Sequence, residues 1–141
     1  MRNSSPVPWA AKPFSDDHAR EAYDIAARII EIAPEHSCVW TWQLFQGVAC
    51  LNLERNEEAV GLFRHVVEAS PKFVRGLMCL ANALAACGKR EEAHEYIART
   101  LAVNANFTVA RYAGYVRVLS GNDESARRLL RGLATAGLIE A

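Results

Sequence analysis

The sequence predicts an all-α fold of antiparallel helical hairpins, and three observations carry that expectation. Apolar residues recur at intervals of three and four, the helical period, and valine and isoleucine nowhere alternate as they do in strands. Prolines punctuate the chain: Pro6, Pro8 and Pro13 make residues 1–14 an irregular segment, and Pro34 and Pro71 each stop a helical pattern. The connections between patterns are short, which makes neighbouring helices antiparallel.

Seven helices follow in order. The first runs from about Asp16 to Ala33, with Ser15 as its N-cap and two aspartates in its first turn. Its apolar stripe is Ala19, Ala22, Tyr23, Ala26, Ile29, Ile30 and Ala33. The second, from about Val39 to Leu53, is apolar on almost every side, interrupted by Gln43 and Gln46; such a helix is usually covered on both sides. Its covers are either neighbouring hairpins with the N-terminal segment, or a ligand along one side. The third, Glu57 to Ala69, presents Ala59, Leu62, Phe63, Val66 and Val67. The fourth, Val74 to Ala86, meets Gly88, a residue suited to a left-handed cap. The fifth, Glu91 to Val103, shows Ala93, Tyr96, Ile97 and Leu101. The sixth runs from Thr108 to Leu119, and the last from about Asp123 to Ala136, where Gly137 ends it.

The hairpins repeat. Glu57-Glu58-Ala59 and Glu91-Glu92-Ala93 lie 34 residues apart, as do Pro71-Lys72-Phe73 and Ala105-Asn106-Phe107, Phe63 and Ile97, and Gly47 and Ala81. An earlier copy, Ala22, Ile29 and Pro34, precedes Ala59, Val66 and Pro71 by 37 residues. A helix-turn-helix period of 34 resembles the tetratricopeptide repeat, over about Ser15 to Phe107. Gly47 and Ala81 match the small residue where the helices of a hairpin cross. Ala22, Ala59 and Ala93 match the alanine near the start of the second helix. Phe63 and Ile97 match the bulky residue four further on, where the first copy has Ala26; the closing proline is Pro34 and Pro71 but is lost at Ala105.

That resemblance implies a right-handed solenoid of about three and a half hairpins over residues 15–141, closed by a C-terminal capping helix. The stretches Leu101 to Tyr112 and Leu129 to Leu138 also look like the end of a bacterial subfamily. In that subfamily such repeats follow an adenylate or guanylate cyclase domain or a winged-helix transcription-activator domain. Neither effector domain is present in this sequence, so their activities are not carried over.

Composition narrows the functional classes. At 51% hydrophobic and 23% charged, the chain can bury enough surface to offset its ordering entropy, which excludes wholesale disorder. Sixteen basic residues balance sixteen acidic ones, so no nucleic-acid partner bound by bulk charge is expected. The stretch from Arg99 onward is basic, yet Arg127, Arg128 and Arg131 stand apart from Leu129, Leu130 and Leu133 as a solvated face does. No run is apolar enough to span a membrane, and the start lacks the apolar core of a secretion signal. Cys38, Cys50, Cys79 and Cys87 lie in apolar stretches with no CxxC spacing, and read as four buried thiols in a reducing cytoplasm.

No constellation for catalysis is complete. Glu91-x-x-His94 is half of a di-metal motif without its second copy, and His18, His36 and His65 share no ligand spacing with it. Neither GxSxG nor GxxxxGK[ST] occurs. No cofactor, metal or enzymatic activity is expected. The expected function is binding of a protein or peptide partner in a concave groove. By resemblance, that groove carries Thr41, Leu44, Val48, Arg75, Met78, Asn82, Tyr112 and Val116. Asn82 resembles the asparagine that grips a peptide backbone in peptide-binding relatives. Of the basic residues that hold a C-terminal carboxylate there, only Arg75 has a counterpart, which favours an apolar peptide or helix. The alternative is the regulatory part of a signalling protein separated from its effector domain.

The first helix is the second half of a repeat whose first half is missing. Its face of Ala19, Ala22, Tyr23, Ala26 and Ile30 is therefore expected to be open, and in need of a cover. Either the N-terminal segment folds back with Trp9 and Phe14 as anchors, or a second copy of the chain docks there, a homo-oligomer through the N-terminal end.

Overall fold

In the computed structural model, residues 16–108, 110–113, 123–135 and 137 are described, and among them every regular element is a helix. They are α1 (Asp16–Ile32), α2 (Val39–Asn52), α3 (Asn56–Ala69), α4 (Val74–Ala86), α5 (Arg90–Val103), α6 (described at 110–113) and α7 (Asp123–Thr135). The ends of α1 to α5 and of α7 lie within one residue of those read from the apolar period. Ser15, Trp9 and Phe14 lie outside the described residues, as does most of the expected sixth helix.

The sequence repeat is also a repeat of backbone conformation. At the end of α4, Gly88 takes φ 78°, Gly88 N–H donates to Ala85 C=O, and Lys89 N–H donates to Leu84 C=O. This is a Schellman closure, which uses the last turn's orphan carbonyls. At the end of α2 the same closure forms around Glu54: φ is 59°, Glu54 N–H donates to Leu51 C=O, and Arg55 N–H donates to Cys50 C=O. Glu54 and Gly88 stand one repeat apart, so the two turns share a conformation although only one has the residue that adopts it without strain.

Packing follows chain order: α1 on α2, α2 on α3, α3 on α4 and α4 on α5. Links between alternate helices sort them into two sets. Tyr23 of α1 donates a hydrogen bond to Glu58 of α3, with the Arg55 guanidinium 5.0 Å above its ring, and Arg64 of α3 pairs with Glu92 of α5 at 2.6 Å. On the other side α2 packs against α4, Trp40 meets Phe73 edge-on at 5.4 Å, and Cys79 Sγ lies 3.1 Å from Tyr112 Oη of α6. Between the sets runs one continuous core, in which Phe63, Val66, Leu77, Met78, Leu80, Leu84, Ala93 and Ile97 are buried.

On the α1 face Ala19 and Ala26 are buried in a helix that packs on α2, Ala22, Tyr23 and Ile30 are half-buried, and Tyr23 reaches α3; the N-terminal segment expected to cover this face lies outside the described residues. Among the described residues the large apolar side chains left in solvent are Ile25 and Ile32 of α1, Phe45 of α2 and Val103 of α5. The four cysteines expected to be buried are not uniformly so, because Cys38 sits in the turn before α2 and is exposed, and Cys87 is half-buried at the end of α4.

Close approach of α2 and α3 is set at Gly47. A Cβ there would lie 2.5 Å from Cε1 and 2.8 Å from Cζ of Phe63, whose ring is fully buried and has nowhere to go. Gly47→Ala should therefore cost about 1–3 kcal/mol in urea denaturation, although alanine is about 1 kcal/mol the better helix former. The cost should shrink in a Phe63→Leu background, and an unchanged cost there would place the clash elsewhere. Glu54→Gly should act in the opposite direction. A left-handed conformation penalises a non-glycine residue by roughly 1–2 kcal/mol. Glycine's extra unfolded-state freedom cancels part of the relief, leaving a gain of about 0.5–1 kcal/mol, read as a higher urea midpoint at constant slope.

Candidate functional site

The residues expected to line a groove are brought together, though not in an open trough. Leu44 and Val48 of α2, Met78 and Asn82 of α4 and Tyr112 of α6 are all buried. Thr41 is half-buried and Arg75 is exposed, both near the N-terminal ends of their helices, and Val116 lies outside the described residues. The repeat register explains the grouping: Thr41 and Arg75, Leu44 and Met78, and Val48 and Asn82 are each one period apart. Equivalent positions on α2 and α4 thus share one side.

What closes this side at its C-terminal end is α7. It packs against α4 with Ala126, Leu129 and Leu133 buried and Arg127 and Arg131 in solvent. Gly132 makes the approach close. A Cβ on it would lie 3.3 Å from Asn82 Oδ1 and 3.8 Å from the Ala85 Cβ. Arg128 extends to α2, where its guanidinium donates to the Leu51 carbonyl at 3.3 Å, and Gly137 lies against the His94 ring at the start of α5. Sequence reasoning treated the last helix as a cap of the stack. The signal in the sequence for its close approach to α4 is Gly132, a residue without a side chain in the middle of a helix, where it has no propensity reason to be.

The polar groups on this side are few. Asn82 is 2% exposed, and its Nδ2 has no hydrogen-bond partner among the described residues. A buried amide left unpaired costs about 1–3 kcal/mol. Asn52 is buried too, and its amide donates to the Val48 carbonyl at 3.1 Å. Gln43, one of the two glutamines that interrupt α2, meets His65 of α3 at 3.3 Å, whereas Gln46 is buried.

Elsewhere the chemistry is sparse. Among the described residues no three His, Cys, Asp or Glu side chains are grouped to hold a metal ion, and no helix is long and apolar enough to cross a membrane. Glu92, beside the Glu91-x-x-His94 spacing, is engaged by Arg64. A surface hollow of about 400 Å³ opens at the α2–α3 turn, lined by Glu54, Arg55, Glu57, Glu58 and Cys87. Burial raises the Cys87 thiol above its ordinary value, and Glu57 adds to this while Lys89 opposes it. No protein-family model matches the chain, and no curated protein matches it either.

Cys50 is the buried group with the clearest titration consequence. Desolvation pushes its thiol up to about 12, helped by Glu58 and opposed by Arg55. The folded chain therefore holds this proton more tightly than the unfolded chain, whose thiol ionises near 9.0. The resulting stabilisation is complete below pH 9 and is lost as pH rises toward 12. The urea midpoint should accordingly fall between pH 9 and pH 10.5, and Cys50→Ala should flatten that fall relative to its own midpoint at pH 8. An equally steep fall in the variant would assign the effect to other groups.

Proposed function

We propose that the chain is a right-handed tetratricopeptide-type solenoid that binds a protein partner without catalysis, and that the side formed by α2 and α4 takes an amphipathic helix. The observation that carries the reading is the kind of surface α2 and α4 already accommodate: a helix with Ala126, Leu129 and Leu133 inward and arginines outward. A surface that packs an apolar stripe at helical spacing selects ligands of the same form, through anchors at i, i+3 and i+7. Recurrence supports the solenoid half of the proposal. The Schellman turns at Glu54 and Gly88 recur one period apart, and so do Glu58 and Glu92, the acidic partners in the links from Tyr23 and Arg64.

Asn82 is the specificity element. Its buried amide orients a backbone or side-chain carbonyl of the incoming helix, while Leu44, Val48 and Met78 supply the apolar floor. Thr41 and Arg75 stand at the accessible end of this side and meet the ligand's first turn or its flank. The four cysteines form no disulfide, which suits a reducing cytoplasmic setting.

The accessible end provides the test, because its side chains can be changed without opening the core. Cross-linked pull-downs with the full chain should recover a set of proteins that a Thr41→Arg, Arg75→Glu double variant loses by about tenfold, at unchanged helicity. A tenfold loss corresponds to about 1.4 kcal/mol of binding, within what one or two contact residues contribute. Identical recovery by both chains would move the interface to another surface.

A further inference from the structure

The last helix touches both hairpins at the same repeat positions. Leu51, which accepts from Arg128, and Ala85, which faces Gly132, are one 34-residue period apart, and Asn82 beside Ala85 is the periodic equivalent of Val48. Packing on α4 and the reach of Arg128 to the Leu51 carbonyl of α2 lay α7 across the side on which equivalent positions line up. We propose that α7 is an exchangeable occupant of the α2–α4 side, holding it closed until a partner helix displaces it. This rests on the reading of that side as a helix-binding surface, and it adds how the surface is regulated.

Three features bear on that exchange. The inward stripe of α7, with Ala126, Leu129 and Leu133 buried in the common core and Leu130 and Ala134 partly buried, is a single apolar face that another amphipathic helix can present. The helix leaves Asn82 Nδ2 buried and unpaired, and at Gly132, which faces Oδ1 of the same amide, it brings no side chain to that group. Its hydrogen bond to α2 is long, 3.3 Å from the Arg128 guanidinium to the Leu51 carbonyl. A partner helix that carried an acceptor opposite Asn82 would meet the same floor with one unsatisfied group fewer. Tethering compensates for these defects, because a segment of the same chain competes at a high effective concentration whatever its intrinsic affinity. The partner class this selects is an amphipathic helix with a small-Leu-Leu stripe and a basic outer face, carrying Asn, Gln, Ser or Thr where α7 has Gly132.

The test uses the full chain and a defined probe, a capped and fluorescently labelled peptide of residues 123–135, followed by anisotropy. Two variants undock α7 by different means: Leu133→Asp places a charge on its fully buried position, and Gly132→Leu forces a side chain against Asn82 and Ala85. Both should bind the peptide about tenfold or more tightly than the unaltered chain, and a peptide carrying Leu133→Asp should bind neither. Equal binding by the unaltered chain and by folded variants would overturn the closure while leaving the surface as a helix-binding one. No binding by folded variants would overturn the surface itself. Loss of the cooperative melt in both variants would overturn the closure as well, since α7 would then be integral to the core.

Discussion

The close crossing of α2 and α3 at Gly47 is the constraint from which the rest of the arrangement follows. With no side chain at that point, the Phe63 ring occupies the space against the α2 backbone and becomes fully buried. The angle and depth of that hairpin then determine where Leu44, Val48 and Leu51 stand relative to α4. One period on, Ala81 and Ile97 stand where the first hairpin has Gly47 and Phe63, a slightly larger residue with a slimmer one, and both are buried. Small-against-large pairing keeps interior density high without strained rotamers.

Propagation from one hairpin to the next depends on the turns as much as on the core. The left-handed residue at the end of α2 and of α4 redirects the chain within three residues, so α3 and α5 return along the helix they follow. Glu54 performs this with a residue poorly suited to it, which means the surrounding packing overrides local preference there. The polar links Tyr23–Glu58 and Arg64–Glu92 lie on the outside of the same succession. Being largely exposed, they set register more than they contribute stability.

Two asparagines are buried on the α2–α4 side. The Asn52 amide donates to the carbonyl one turn back, Val48. Asn82, one repeat on and one turn earlier, is equally withdrawn from water, and its Nδ2 has no hydrogen-bond partner among the described residues. A core optimised for stability alone would place an apolar residue there, because an unpaired buried amide is a net cost. Asn82 lies on the same side as Leu44, Val48 and Met78, a polar group among apolar ones.

Local physics was legible in the residues: the apolar period located α1 to α5 and α7 to within one residue, prolines and Gly88 marked the stops, and the 34-residue spacing aligned Thr41 with Arg75, Leu44 with Met78 and Val48 with Asn82. Each of these is set by neighbours within one or two turns, which is the range that a linear pattern encodes. Tertiary structure alone decided that α1 packs on α2, that Cys38 is exposed, and that α7 lies over Asn82 and Ala85. An amphipathic stripe states that one face must be buried but not against what, so the partner of Ala126, Leu129 and Leu133 was not legible in it. That contact was decided by shape, at the point where Gly132 lets α7 and α4 meet.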